Sequence, residues 1–180
     1  MRKVAGALIV AQFVLAVGLT SAPAGAAGAT SCKTMSGVAT FSPPLPKLAV
    51  SKKVVSTVTV KGARLTGCVG GRVLSGTVAF TVKFSKPGNC TTLGNAVPST
   101  ASGKGVITWN TDAVSTVAGL TVSSVSQKPT SLKVAGKISA GLFKGSKIAE
   151  TLIYSAPATG CTKTALSKVA FKQGTALMIK

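Results

Sequence analysis

Groups that serve acid–base catalysis are nearly missing from this sequence, which has no histidine and only two acidic residues, Asp112 and Glu150. General acid–base catalysis needs side chains whose pKa lies near the working pH, and histidine and the carboxylates are the usual ones. No serine stands in a G-x-S-x-G or S-x-x-K motif. We therefore predict a non-enzymatic protein with no catalytic residue and no cofactor. An enzyme, the third alternative, would need one of the two acids beside a lysine or serine in a cleft.

Long apolar runs are also scarce. The one long run, from Val4 to Leu19, follows a short basic start and precedes a tract of small residues, which is the order of a secretory signal peptide. Its 16 residues fall short of the roughly 20 that a membrane-spanning helix needs. We predict a signal peptide over residues 1–29 and a single secreted all-β domain over residues 30–180, without a transmembrane span after cleavage.

Cysteine occurs four times, always in the predicted exported part. In an oxidising compartment this even number predicts two disulfides, although three connectivities are possible. A hairpin joining the strand after Cys32 to the strand ending near residue 61 would bring Cys32 toward Cys68, leaving Cys90 and Cys161 to pair. A metal site is the competing interpretation, but the sequence has no histidine and no C-x-x-C spacing. We predict no metal.

Residues 29–32, Ala-Thr-Ser-Cys, loosely resemble the lipobox of bacterial lipoproteins, in which the cysteine becomes the acylated first residue. The segment lacks the usual leucine three residues before the cysteine, and acylation of Cys32 would leave three thiols, an odd number. Disulfide pairing is the better account of Cys32.

Positive charge dominates the composition, because 21 lysines and arginines stand against two acids and give a formal net charge of +19. Removal of the signal peptide takes away Arg2 and Lys3 and leaves +17. So few acids cannot neutralise this charge, and the molecule should present a positive field that attracts polyanions. Aromatic residues are few and most fit core positions, which argues against specific nucleic-acid binding by base stacking. We expect an anionic cell-wall polymer or lipid surface as the partner.

Alternation of apolar and polar residues with period two recurs along the chain and leaves almost no room for helices. Glycine and proline separate the alternating stretches, and the short connections favour sequential antiparallel pairing. We predict an all-β fold, a single antiparallel barrel of about eight to ten short strands, with a two-sheet β-sandwich as the alternative. The predicted strands cover residues 36–42, 54–60, 64–69, 74–84, 105–109, 118–126, 131–139, 147–154, 163–171 and 174–179.

Four lysines on two consecutive predicted strands and the turn between them are the candidate polyanion contacts: Lys133, Lys137, Lys144 and Lys147. Outward placement would explain each one alone. An ordinary surface, however, mixes both signs of charge, and this one lacks acids. The leading hypothesis is a non-enzymatic basic domain that associates with the anionic cell envelope or other extracellular polyanions through a diffuse lysine surface.

A second hypothesis is a carrier, in which the barrel encloses a small apolar ligand. It predicts a cavity of about 300 Å³ or more, and an interior filled with phenylalanine and valine would eliminate it. The sequence does not fix the oligomeric state.

The sequence also predicts where the side chains of the two acidic residues lie. Asp112 follows Trp109-Asn110-Thr111 in a turn, where its carboxylate can bond nearby backbone. Glu150 shares its parity with Ile148, Leu152 and Tyr154. We expect the side chains of this parity to face outward near a sheet edge, because buried carboxylates are rare unless they are paired.

Several segments resemble a group of small secreted proteins of actinobacteria: Thr40-Phe41-Ser42-Pro43-Pro44-Leu45, Leu65-Thr66-Gly67-Cys68, Asn89-Cys90 and residues 138–145. The resemblance covers most of the predicted mature chain and is carried by cysteine, glycine, proline and aromatic residues. It implies an exported, disulfide-bonded β-protein of a Gram-positive organism. No activity is assigned to that group, so the resemblance implies no catalytic residue.

Overall fold

The computed structural model describes residues 28–46, 54–88, 101–125, 128–154, 164–173 and 176–180. Two predictions fall outside the described residues. One is the signal peptide, of which only the last two residues are described, and the other is the pairing of Cys90 with Cys161.

The described residues form nine strands and no helix. Neighbouring strands pair antiparallel in chain order from β2 to β8, and β1 pairs with both β8 and β2, which closes the sheet. The predicted antiparallel barrel is confirmed, and the sandwich is not formed. The strands are β1 (Thr30–Leu45), β2 (Thr57–Val69), β3 (Gly76–Lys83), β4 (Ala101–Trp109), β5 (Val114–Val125), β6 (Lys128–Gly141), β7 (Lys147–Tyr154), β8 (Leu166–Gln173) and β9 (Leu177–Ile179).

The short strand β9 is additional to the eight-stranded closed barrel, and it lies beyond the end of β8. Along β7, residues 152–154 pair with β8, whereas Ile148 and Ala149 pair with β9. β9 also pairs with the first residues of β1. Together, β8 and β9 therefore fill one position in the barrel wall, and the change of partner falls beside Glu150.

One long strand, β2, replaces the two that were predicted over residues 54–60 and 64–69. The register of β2 shifts between Val60 and Ala63 against β3 and between Val60 and Arg64 against β1, and Gly62 there has a φ of 65°. A β-bulge of this kind inserts extra residues and changes which residues face inward while the strand continues. The interruption of the alternation is thus a bulge and not a turn.

The interior is filled by the apolar side chains that alternate along each strand, which confirms the expected alternation. Phenylalanines 41, 80, 84 and 171 are all buried, and leucine, valine and isoleucine occupy most other inward positions. Burying one such side chain is worth about 1.5–3 kcal/mol. Hydrophobic burial therefore explains how a chain with so much like charge can still fold.

The barrel end that carries the β2–β3, β4–β5 and β6–β7 turns, which we call the hairpin end, is closed by an aromatic pair. The rings of Trp109 and Phe143 meet edge to face, with 5.4 Å between centroids. Trp109 Nε1 donates to Ser115 Oγ at 2.9 Å, and Ser115 Oγ donates to the Leu142 carbonyl at 2.5 Å. Gly71 lies so close that a Cβ there would approach the Phe143 ring to 2.3 Å. The three turns are thereby packed together.

A disulfide joins Cys32 of β1 to Cys68 of β2, as predicted, with sulfurs 2.08 Å apart. The two residues are direct partners in the β1–β2 register. The bridge therefore lies across the pairing that closes the barrel. It also uses the sulfur that lipid attachment at Cys32 would require.

Candidate polyanion-binding surface

Three lysines lie side by side across neighbouring strands at the hairpin end. Lys137 of β6 is the direct register partner of Lys147 of β7. Lys147 and Lys180, the residue after β9, exchange backbone hydrogen bonds of 2.6 and 3.0 Å. All three side chains are exposed. Because directly opposed residues have Cβ atoms about 5 Å apart, Lys137, Lys147 and Lys180 form a compact line of positive charge, which we call the lysine row.

The remaining two candidate lysines lie on the same hairpin. Lys133 precedes Lys137 by four residues on β6, about 13 Å along the strand, and its side chain is exposed. Lys144 is exposed in the β6–β7 turn, where its amide donates to the Gly141 carbonyl. The structure thus places Lys133, Lys137, Lys144 and Lys147 on one hairpin, with Lys137 and Lys147 in direct opposition.

The part of the barrel wall formed by β3, β4 and β5, of which β5 pairs with β6, has a different surface. Its exposed residues are mainly threonine, serine, alanine and valine, and the only lysines in these strands are Lys83 and Lys104. Strand β5 has no lysine or arginine. Among the described residues, positive side chains are therefore sparser on β3, β4 and β5 than on the β6–β7 hairpin.

Sequence reasoning missed Lys180 as a member of this surface. It is 33 residues after Lys147, and its place in the row depends on β9 pairing with β7. No local pattern could have revealed that pairing. The basic surface also extends across β1, because Ser36 pairs with exposed Lys172 on one side and exposed Arg64 on the other.

The two acids end in contrasting places. Asp112 is exposed in the β4–β5 turn with a φ of 59°, as its predicted turn position requires, and its amide donates to the Trp109 carbonyl at 3.0 Å. No acidic side chain within the described β6–β7–β9 surface faces the solvent. The lysine row thus has no carboxylate side chain on those strands to neutralise it.

The outward prediction for Glu150 was wrong, because its side chain points into the barrel and is only 5% exposed. Burial raises the pKa of Glu150 to about 8. The reason is the parity that it shares with Ile148, Leu152 and Tyr154, all of which are buried. That apolar parity was the sequence feature that could have placed it correctly.

Two small cavities lie among the inward-facing side chains of the described barrel. A cavity of about 50 Å³ is lined by aromatic and aliphatic side chains that include Phe41, Phe84 and Phe171. A second, of about 30 Å³, contains Glu150 in its wall and has no described serine, threonine or lysine lining it. Both are smaller than the cavity that the carrier hypothesis predicted. The serine or lysine that the enzyme alternative needs is likewise not found in the described wall beside Glu150.

Comparisons with protein-family models, with characterised proteins and with solved structures found no match. Among the described residues, no helix is long and apolar enough to cross a membrane. No group of three or more potential metal ligands occurs among the residues described. The function must therefore be argued from the geometry of this chain.

Proposed function

We propose that the protein is a secreted, non-enzymatic, strongly basic β-barrel that binds an anionic polymer of the cell envelope. The observation that carries the proposal is the lysine row. Like charges directly opposite one another on a sheet destabilise it, so a row without neighbouring carboxylate side chains has a cost in stability. A polymer with repeated negative charges would offset that repulsion by charge-assisted hydrogen bonds to the ammonium groups.

A polymer fits this surface better than a lipid bilayer does. Proteins that lie on a bilayer insert large apolar side chains beside their basic residues. The exposed large hydrophobic residues of the described barrel are Val38, Val55, Val69, Leu74, Val106 and Val114, and none of them is on β6, β7 or β9. The outward neighbours of the row are the small residues Ala135 and Ala149 on β6 and β7, and the half-buried Met178 on β9. The disulfide supports an oxidising location such as the outside of the cell.

The test compares two triple variants that remove the same charge. One changes the row to glutamine (Lys137→Gln, Lys147→Gln, Lys180→Gln). The matched control changes three other exposed lysines to glutamine, Lys83, Lys86 and Lys104, which lie on and beside β3 and β4. Retention on purified Gram-positive cell walls is measured against sodium chloride concentration.

Wild-type retention should fall steeply with salt, because exposed charges are screened over about 8 Å at physiological ionic strength. The row variant should lower the slope of log affinity against log salt by about 2, from three lost contacts at about 0.7 each, and the control should change it much less. Equal losses in both variants would show that net charge alone governs retention and would remove the row as the site. Absence of wild-type retention at low salt would contradict the proposed function itself.

A further inference from the structure

An open cleft of about 320 Å³ lies on the outer face of the barrel at the hairpin end, across strands β2, β3 and β4. One side of the cleft is a row of exposed side chains that are direct partners in register: Arg64, Thr77 and Thr108. This row presents one guanidinium group and two hydroxyl groups to the solvent. The proposed surface function does not use them.

The floor of the cleft is the next set of register partners, Leu65, Gly76 and Trp109. Leu65 and Trp109 are buried, and Gly76 between them is half-buried. A Cβ at Gly76 would come within 2.9 Å of the Thr108 carbonyl oxygen and 3.1 Å of the Trp109 ring. The glycine therefore lets the backbone of β3 pack directly against the indole, and this backbone forms the centre of the floor.

The other side of the cleft is a second polar set, Thr66, Ser75 and Asn110. Asn110 Oδ1 accepts hydrogen bonds from the amides of Leu74 and Ser75 at 2.9 and 3.2 Å. The Thr66 hydroxyl shares a hydrogen bond with the Thr34 hydroxyl of β1. Because its Oδ1 is engaged, the Asn110 amide is held in place and offers a ligand its two Nδ2 hydrogens. The two polar sides are two residues apart along each strand, about 7 Å.

The charge of the cleft favours an anion. Arg64 is the only charged residue in the described lining. Neither acid belongs to that lining, because Asp112 lies in the β4–β5 turn and Glu150 faces the interior. A guanidinium forms two parallel hydrogen bonds to phosphate or carboxylate, which a lysine cannot do.

The remaining lining favours hydroxyl groups over aromatic rings. Three threonines, one serine and one asparagine supply donors and acceptors around the cleft. The one aromatic residue of the described lining, Trp109, is only 2% exposed, so it offers no open ring face on which a base could stack. A ligand with one anionic group and several hydroxyls therefore matches the cleft better than a nucleotide does.

We propose that this cleft is a binding site for a sugar phosphate, whose phosphate pairs with Arg64 and whose hydroxyls bond the threonine and asparagine side chains of the two polar sides. Its volume of about 320 Å³ is at the lower end of the range for small-molecule sites, which limits the ligand to one or two sugar units. The lysine row lies on other strands, β6, β7 and the end of β9, so the two sites are independent.

The experiment titrates the disulfide-bonded chain with glucose 6-phosphate, and separately with glucose and with inorganic phosphate as its two halves. Binding is followed by NMR through the backbone amides of Thr77, Thr108 and Asn110, which locate the ligand in the cleft. Wild type should bind glucose 6-phosphate at least about tenfold more tightly than either half, because the guanidinium and the hydroxyl-bearing side chains then act together.

Four variants separate specific recognition from general attraction by positive charge. Arg64→Gln should lose at least about tenfold in glucose 6-phosphate affinity. Arg72→Gln removes the same charge from the β2–β3 turn, outside the described lining, and should change the affinity much less. Arg64→Lys keeps the charge without the planar fork and should not restore wild-type affinity. Thr77→Val should weaken glucose 6-phosphate but leave inorganic phosphate unchanged.

Three results would each overturn the proposal: no amide shifts at millimolar glucose 6-phosphate, inorganic phosphate bound as tightly as glucose 6-phosphate, or equal losses in Arg64→Gln and Arg72→Gln. Shifts confined to Lys137 and Lys147 would place the anion on the lysine row and would also reject the cleft. That last result would leave the proposed function standing, so the two proposals fail separately.

Discussion

At the scale of single residues, two carboxyl groups of similar chemistry have opposite environments. Asp112 is exposed in a turn, whereas Glu150 is buried on an inward position of β7. The apolar interior destabilises the ionised form of Glu150 and so raises its pKa. The buried carboxyl should therefore link the stability of the barrel to pH.

We expect the free energy of unfolding to fall as pH rises from about 4.5 to about 8. In the unfolded chain Glu150 has its ordinary pKa of 4.5, and in the barrel its pKa is raised to about 8. Between these values the folded state holds a proton that the unfolded state has released, so a rise in pH favours unfolding. The stabilisation from protonated Glu150 is fully present below pH 4.5. Between pH 4.5 and 8, the free energy of unfolding falls by up to about 1.4 kcal/mol per pH unit.

Urea denaturation at several pH values measures this slope. Glu150→Gln should remove it, because glutamine does not ionise. Asp112→Asn removes the other acidic side chain, which is exposed, and should leave the slope unchanged. A slope that survives in Glu150→Gln would show that another group is responsible.

At the scale of elements, glycines in left-handed backbone allow long strands to change parity without ending. Gly119 of β5 has a φ of 58° and lies where the register against β6 shifts. Val117 before it and Leu120 after it are both buried, although they are three residues apart. An uninterrupted strand would have placed one of them in solvent, because residues an odd number apart face opposite sides.

Substitution by alanine should lower the stability of the protein by different amounts at two glycines of positive φ. Gly119→Ala places a Cβ in open space, so only the backbone conformation opposes it, at a cost of about 1–2 kcal/mol. Gly141→Ala, at a φ of 81°, would in addition place a Cβ 1.8 Å from the Val114 carbonyl oxygen. We expect the second loss of unfolding free energy to be at least about twice the first, as measured by urea denaturation. Equal losses would mean that the β5–β6 pairing near Gly141 moves at no cost.

At the scale of the whole molecule, the decisive contact is the pairing of β1 with β2, which closes the barrel. This seam joins the disulfide partners Cys32 and Cys68, which are 36 residues apart in the sequence. The disulfide stabilises the barrel because it restricts the conformations of the unfolded chain. This stabilisation opposes the mutual repulsion of the positively charged surface side chains, which few acids neutralise.

The double variant Cys32→Ser, Cys68→Ser should lose about 4 kcal/mol of unfolding free energy by the loop-entropy estimate. Thermal or urea unfolding measures the loss under non-reducing conditions. Peptide mapping of the double variant without reduction checks the other pair, since Cys90 and Cys161 should remain joined. A double variant as stable as wild type would show that β1–β2 pairing does not need the bridge.

Much of this molecule could be predicted from the sequence. Period-two alternation specifies strands because successive side chains of a strand point to opposite faces. The cysteine count, with the expected hairpin, indicated the Cys32–Cys68 bridge, and lysines alternating with apolar residues were correctly placed outside. Each of these inferences depends on residues that are close in the sequence or on the pairing of two cysteines. They could therefore be made without the three-dimensional structure.

Only the tertiary structure decided where the lysine row and the interior cavities lie. The apolar parity of β7 already indicated that Glu150 faces inward, and the outward prediction followed instead from the rarity of unpaired buried carboxylates. Lys180 joins Lys137 and Lys147 only because β9 pairs with β7, a contact between residues far apart in the sequence. Cavity size likewise depends on how side chains from eight strands fill one enclosed space, and no segment of the sequence contains that information alone.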